Sequence, residues 1–241
     1  MLRKVIFYTA LTFGTSIMSI LFIPFIKFDW ITKVIRLWPQ LALFLLKNIC
    51  NITYTIIHTR TLPNHRAIIA SKHQSALETV ALFLAFPKAV FILKKELVNM
   101  PLIGSFLKKL GMIYIDRSKG KQAILHIKTQ LEKLDSESVV IIFPEGTRTK
   151  PDHKTDSYHS GICLVYETLK WPVIPVALNT GIFWPKSGPM KSGKATIQIL
   201  EPIKTYNYER KEFLEKLNKR IENASIKLYK QTMCSISKLK S

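Results

Sequence analysis

The sequence predicts an α/β fold: a mixed sheet flanked by helices, preceded by an N-terminal membrane-embedded helical segment. Three observations predict it. Short β-branched runs alternate with longer runs of helical spacing, which argues for layers of helix on a sheet. A stretch of 22 residues, Val5 to Ile26, carries no charge, close to the ~20 residues that span a bilayer. The 241-residue chain also combines 47% hydrophobic residues with a formal net charge of +20. The apolar content excludes a disordered chain. The charge implies an anionic partner, and together they fit a lipid surface better than nucleic acid, for which no aromatic-basic motif is present.

The elements follow in order. Arg3 and Lys4 precede the charge-free stretch and Lys27 follows it. A cleaved signal peptide would need a shorter apolar core and a small-x-small site. A single spanning helix and a helical hairpin entering and leaving on one side both remain. Pro24 and the second apolar stretch LWPQLALFLL (37–46) suit the hairpin. Residues 1–48 are therefore expected to form an anchor and residues 49–241 the domain that follows it. ITYTIIH (52–58) and RAIIAS (66–71) read as strands by their β-branched content, and ALETVALFLAF (76–86) as an apolar helix stopped by Pro87. AVFILKK (89–95) and MIYID (112–116) read as strands. QAILHIKTQLEKL (122–134) has helical spacing through Ile124, Leu125, Ile127, Leu131 and Leu134. SVVIIF (138–143) is a continuous apolar run and reads as a buried strand. GICLVYETL (161–169) is a helix, while PVIPVAL (172–178) and ATIQIL (195–200) are strands. The tail, about 208–230, reads as a basic amphipathic helix with Phe213, Leu217 and Ile221 at four-residue spacing. Cys50, Cys163 and Cys234 are widely spaced and odd in number. They predict structural thiols in a reducing compartment and neither zinc site nor disulfide.

Four places carry chemistry. In ASKHQSALETV (70–80), Glu78 follows His73 by five positions. A five-residue step on one helix turns ~500°, so the two cannot meet mid-helix. They can meet if His73 lies in the turn after a strand and Glu78 in the first turns of the helix. The carboxylate then fixes the histidine tautomer. The plainer alternative is a surface histidine, with Glu78 complementing a helix N-terminus. In IIFPEGTRT (141–149), Pro144 ends a buried strand, and Glu145, Gly146, Thr147 and Arg148 follow. Strand ends are where such folds place ligands. Gly146 permits close approach, and Arg148 offers a fork suited to phosphate. In YIDRS (114–118), Arg117 is either a second phosphate ligand or the ion-pair partner of Asp116. VIPVALNTG (173–181) reads first as a core strand, with the turn at Asn179, Thr180 and Gly181 as a lesser candidate for lining the site.

The order of these four blocks resembles the glycerolipid acyltransferase family, most of all its bacterial 1-acylglycerol-3-phosphate acyltransferases. The likeness runs from about Arg66 to Leu178, and FPEGTR is its most specific block. It implies a glycerol-3-phosphate acyltransferase-like fold on a bacterial inner membrane, with the catalytic domain on the cytoplasmic face. It further implies His73 as general base and Glu78 as its charged partner. Arg117, with Glu145, Gly146, Thr147 and Arg148, would bind the phosphate of lysophosphatidic acid. An acyl-coenzyme A or acyl carrier protein thioester would be co-substrate, with no metal and no cofactor. Two positions depart from the family pattern. Glu78 stands where aspartate is usual. YHSG (Tyr158 to Gly161) stands where Phe-Lys-x-Gly is common, which leaves His159 in place of a fixed positive charge. Lys94, Lys95, Lys108, Lys109 and the C-terminal helix would meet anionic membrane lipid, each cation adding ~1 kcal/mol, and could attract an acidic carrier protein.

Overall fold

The computed structural model describes residues 2–58, 66–203 and 208–238, apart from the side chain of Arg117. The chain opens with α1 (Leu2–Phe22), a short turn, α2 (Ile31–Ile35) and α3 (Leu37–Cys50). β1 (Ile52–His58), β2 (Ala67–Ser71), α4 (Leu77–Ala85) and β3 (Ala89–Lys94) follow. Next come α5 (Lys95–Val98), α6 (Ile103–Lys109), β4 (Ile113–Ile115) and α7 (Lys121–Glu132). The remainder is β5 (Val139–Ile142), α8 (Gly161–Leu169), β6 (Val173–Leu178), β7 (Gly193–Ile199) and α9 (Arg210–Lys238).

The seven strands form one sheet in the order β1-β7-β6-β2-β5-β3-β4. Only β6 and β7 pair antiparallel, so the sheet is mixed. The central strands are apolar up to Ser71 at the end of β2 because both faces are covered. Along β2, Ile68 and Ala70 face α7, α8 and the first half of α9. Ala67 and Ile69 face α4 on the other side. The two-residue period of a strand thus feeds two cores from one short sequence.

α1 and α3 pack against each other, which gives the hairpin arrangement. Gly14 makes the close approach possible: a Cβ there would lie 2.9 Å from Leu41 Cδ2. Trp38 Nε1 donates to Thr15 Oγ1 at 2.7 Å across the pair. Phe7 is fully buried edge-on against Trp184, with ring centroids 5.2 Å apart. That contact ties the hairpin to the segment that follows β6. The rest of α1 leaves Leu2, Phe13 and Ile20 about 70% exposed. Leu2–Phe25 is long and apolar enough to cross a membrane, and this N-terminal helix fits a membrane association.

Three details differ from the sequence reading. In α7 the buried stripe is Ala123, Ile127 and Leu131, whereas Ile124 and Leu125 are exposed. A four-residue step holds one face, and each single step swings ~100° off it. Both residues fit helical spacing yet lie outside the stripe. Cys50 and Cys163 are buried, but Cys234 is exposed on α9 and has no core role. The C-terminal helix runs on to Lys238, beyond the expected end.

Candidate active site

The carboxyl ends of β2, β5 and β6 lie side by side at the centre of the sheet, and the site is built there. Lys72 extends β2 by one hydrogen bond, its N–H to Val176 O at 2.9 Å. His73 then leaves the strand, four residues before α4 begins at Leu77. That puts His73 in a turn and Glu78 in the first turn of the helix, the condition under which the two can meet.

They do meet. His73 Nδ1 lies 2.9 Å from Glu78 Oε1. The same oxygen accepts the backbone N–H groups of Gln74 (2.8 Å) and Ser75 (2.7 Å). Glu78 Oε2 accepts from Thr180 Oγ1 at 2.6 Å. The Glu78 side chain has no solvent exposure, so these donors replace the water it lost. A carboxylate oxygen facing Nδ1 accepts a hydrogen bond from an N–H there. Nδ1 is therefore the protonated nitrogen, which leaves Nε2 as the basic one. The imidazole stacks on Phe143, centroids 4.0 Å apart, and is 18% exposed. It lines a cleft of about 580 Å³, shared with Gly146, Thr147, Arg148, His159 and Lys186.

Gly146 adopts φ +65°, a left-handed turn that suits glycine. Gly146, Thr147 and Arg148 all reach the cleft. Glu145, expected among the phosphate ligands, turns the other way and is buried. Its Oε2 accepts the His73 N–H at 2.6 Å. Its Oε1 meets Lys72 Nζ (2.7 Å), Thr149 Oγ1 (2.9 Å) and Thr155 Oγ1 (2.8 Å). Thr149 N donates to His73 O at 2.8 Å. The loop after β5 thus grips the His73 backbone from both sides. Proline stops the strand and the glycine turn reverses the chain, so Glu145 points inward while the next three residues point out.

Behind this grip lies a buried network. Lys72 Nζ is 2.8 Å from both carboxylate oxygens of Glu222 on α9. Tyr158 OH donates to Glu222 Oε1 at 2.7 Å, and Thr155 N donates to Oε2 at 3.1 Å. Burial, reinforced by the Glu222 charge, pushes the Tyr158 hydroxyl far above its ordinary pKa, so it remains a donor. In the YHSG segment, Tyr158 therefore faces inward while His159 lines the cleft.

Arg117 lies in a short 3₁₀ turn after β4, and its side chain is outside the described residues. Asp116 anchors that turn, accepting from Ser118 Oγ at 2.5 Å and Lys95 Nζ at 2.9 Å. These contacts, Ser118 first, lower the Asp116 pKa to about 2. A depressed carboxyl contributes stability above its unfolded value, lost as pH falls through the folded one. The turn is therefore expected to hold until pH falls from about 3.8 to about 2. A carbon-detected NMR titration of Asp116 checks this; a midpoint near 3.8 would show the contacts absent in solution.

Sequence reading missed Lys72, Thr180, Lys186 and Glu222. For Lys72 a signal existed: it continues the alternation Ile68, Ala70 onto the buried face, where a lysine needs an acidic partner. Its partner lies 150 residues away and left no local signal. Thr180 follows the β6 strand in a turn whose role was open.

The family model for acyltransferases matches residues 53–179. A 1-acyl-sn-glycerol-3-phosphate acyltransferase of Pseudomonas aeruginosa is 31% identical over 226 residues, covering 92% of this chain and 88% of that one. One from Bacillus subtilis is 32% identical over 172 residues, covering 67% and 82%. The crystal structure of the 1-acyl-sn-glycerophosphate (LPA) acyltransferase PlsC of Thermotoga maritima superposes with a TM-score of 0.73. It is 18% identical and covers 94% of this chain and 98% of its own, so it shares the fold. With the His73–Glu78 pair at the end of its central strand, this chain belongs to the acyltransferase family and is an acyltransferase enzyme.

Proposed function

We propose that the chain is a 1-acyl-sn-glycerol-3-phosphate acyltransferase, which moves the acyl group of a thioester to the 2-hydroxyl of lysophosphatidic acid and makes phosphatidic acid. The observation that carries this reading is the His73–Glu78 pair opening on a cleft floored by Gly146, Thr147 and Arg148. A hydroxyl is a weak nucleophile until a base takes its proton, and a placed base contributes ~10²–10⁴-fold. His73 Nε2 takes that proton as the oxygen attacks the thioester carbonyl. Glu78 holds the ring and offsets the imidazolium charge. Collapse of the tetrahedral intermediate breaks the carbon–sulfur bond, and the imidazolium returns its proton to the departing thiolate. The acyl group passes directly to the acceptor, with no covalent enzyme intermediate. Thr180 and Glu145 act as positioning residues, one through Glu78 and the other through the His73 backbone.

Arg148 binds the acceptor phosphate, aided by the Gly146–Thr147 backbone and by Arg117. Charged hydrogen bonds of this kind are worth ~1.5–3 kcal/mol, so Arg148→Ala raises KM for lysophosphatidic acid about 10–100-fold. An unchanged KM removes Arg148 from the phosphate site. An almost wholly apolar cavity of about 140 Å³ adjoins the cleft, with Trp38, Phe83, Phe106 and Met112 in its wall. Thr79 and Leu93 line both spaces, so a thioester carbonyl beside His73 can send its acyl chain there. The hairpin of α1 and α3 forms one side of this cavity through Met18 and Trp38.

This reading places the chain on a bacterial inner membrane with the catalytic domain at the cytoplasmic face. The exposed apolar surface of α1, the net charge of +20 and the bacterial relatives support it. Purified protein is given a labelled acyl thioester with either lysophosphatidic acid or glycerol-3-phosphate. Phosphatidic acid from the first acceptor alone is the expected result. Transfer only to glycerol-3-phosphate would move the acceptor class, and transfer to neither would overturn the reading.

A further inference from the structure

A second pocket lies behind the wall of the catalytic cleft. Its volume is about 560 Å³, and Arg148 and Lys186 line both spaces. Lys150 and Lys191 complete a set of four cations, against one carboxylate, Asp152. Lys150, Lys186 and Lys191 are exposed and have no salt-bridge partner among the described residues. Lys186 Nζ makes one long contact, 3.4 Å to Thr147 Oγ1.

Gln74, directly after His73, also lines the pocket. It is 1% exposed. Its Oε1 accepts from Gly181 N at 3.2 Å, but its buried Nε2 has no hydrogen-bond partner. A Cβ on Gly181 would come within 2.8 Å of Gln74 Cβ, so this packing holds the glutamine in place. A buried amide donor without an acceptor is costly, and this one belongs to a residue of the pocket's wall. Tyr229 and Met233 of α9 supply a flat, apolar wall on one side.

We propose that this pocket binds the phosphorylated nucleotide end of a coenzyme A thioester, with the pantetheine arm running past Arg148 and Lys186 to His73. The inference rests on the acyl-transfer reading above. Four cations exceed what the single phosphodiester of a carrier protein arm needs, and they suit the diphosphate and ribose phosphate of coenzyme A. The apolar wall suits the adenine. The arrangement places donor and acceptor on opposite sides of Arg148, so that one cation touches both substrates.

Lys150→Ala with Lys191→Ala tests this with little risk to the fold, since both side chains are exposed. The double variant raises KM for acyl-coenzyme A about tenfold. Its KM for lysophosphatidic acid, and for an acyl-pantetheine lacking phosphate, stays as in the wild type. An unchanged KM for acyl-coenzyme A overturns the proposal, as does a rise for the acceptor instead. A rise seen with acyl carrier protein but not with acyl-coenzyme A overturns it as well. Calorimetry of the full chain in detergent with unacylated coenzyme A separates this pocket from the reaction itself. Binding to the wild type that weakens in the double variant, and that 3′,5′-adenosine bisphosphate displaces, supports the pocket even if no acyl transfer is found. No binding to the wild type overturns it.

Discussion

Replacing His73 by alanine is expected to lower kcat by about 10²–10⁴-fold and to leave the fold intact. The fold survives because the contacts that hold this turn are made by the His73 backbone, to Glu145 and Thr149. Only the stack on Phe143 and the bond to Glu78 are lost. Turnover is read with lysophosphatidic acid and an acyl thioester, and the fold by far-ultraviolet circular dichroism. Full activity in a folded variant removes His73 as the base. Glu78 offers two graded changes. Glu78→Gln keeps one oxygen for His73, Gln74 and Ser75, and its amide can donate to Thr180 Oγ1. The shape is retained while the charge is lost, and kcat falls on the order of 10³–10⁴-fold. Glu78→Asp keeps the charge but withdraws it by about one methylene. The carboxylate then cannot hold the backbone N–H groups and reach Nδ1 as well, and misplacement of about 1 Å costs ~10²-fold. Wild-type turnover in Glu78→Asp would mean that α4 shifts to follow the shorter side chain.

Lys72→Met is expected to destabilise the protein by about 3–5 kcal/mol, because it strands two buried carboxylates facing one another. Lys72 is 1% exposed, and its ammonium lies within 2.8 Å of Glu145 and Glu222 oxygens. For a chain of this length the loss lowers Tm by roughly 10 °C. Thermal unfolding in detergent, followed by tryptophan fluorescence, measures it. Glu222→Gln is milder, since Lys72 keeps Glu145 and the amide can still accept from Tyr158. A Tm for Lys72→Met within a degree or two of wild type would show that the network carries no net stability. The same variant is expected to lose activity while still folded, since Glu145 also holds the His73 N–H.

Much of the site is legible in the sequence. The turn-then-helix condition for His73 and Glu78 followed from helix geometry, and the structure meets it. Glu78 does more than the spacing suggested: its Oε1 also accepts from the N–H groups of Gln74 and Ser75. The FPEGTR block was legible as a loop at a strand end, but not its division. Whether Glu145 points in or out depends on the φ of Gly146 and on a buried lysine from another strand. Ile124 and Leu125 show the same limit in a helix: periodicity identifies the element, and only packing sets which face is covered.

The sequence by itself determined the alternation of strands and helices, the apolar N-terminal segment and the spacing of the motif residues. These are local properties, each read within a single element or turn, where the periods of strand and helix and the stops at proline and glycine suffice. Tertiary structure alone decided that Glu222 meets Lys72, that Thr180 closes on Glu78, and that Arg148 and Lys186 divide two cavities. Those contacts depend on how α9 lies across the sheet and how the loops after β5 and β6 converge. Burial selects that arrangement for the whole chain at once, and no short window of sequence contains it.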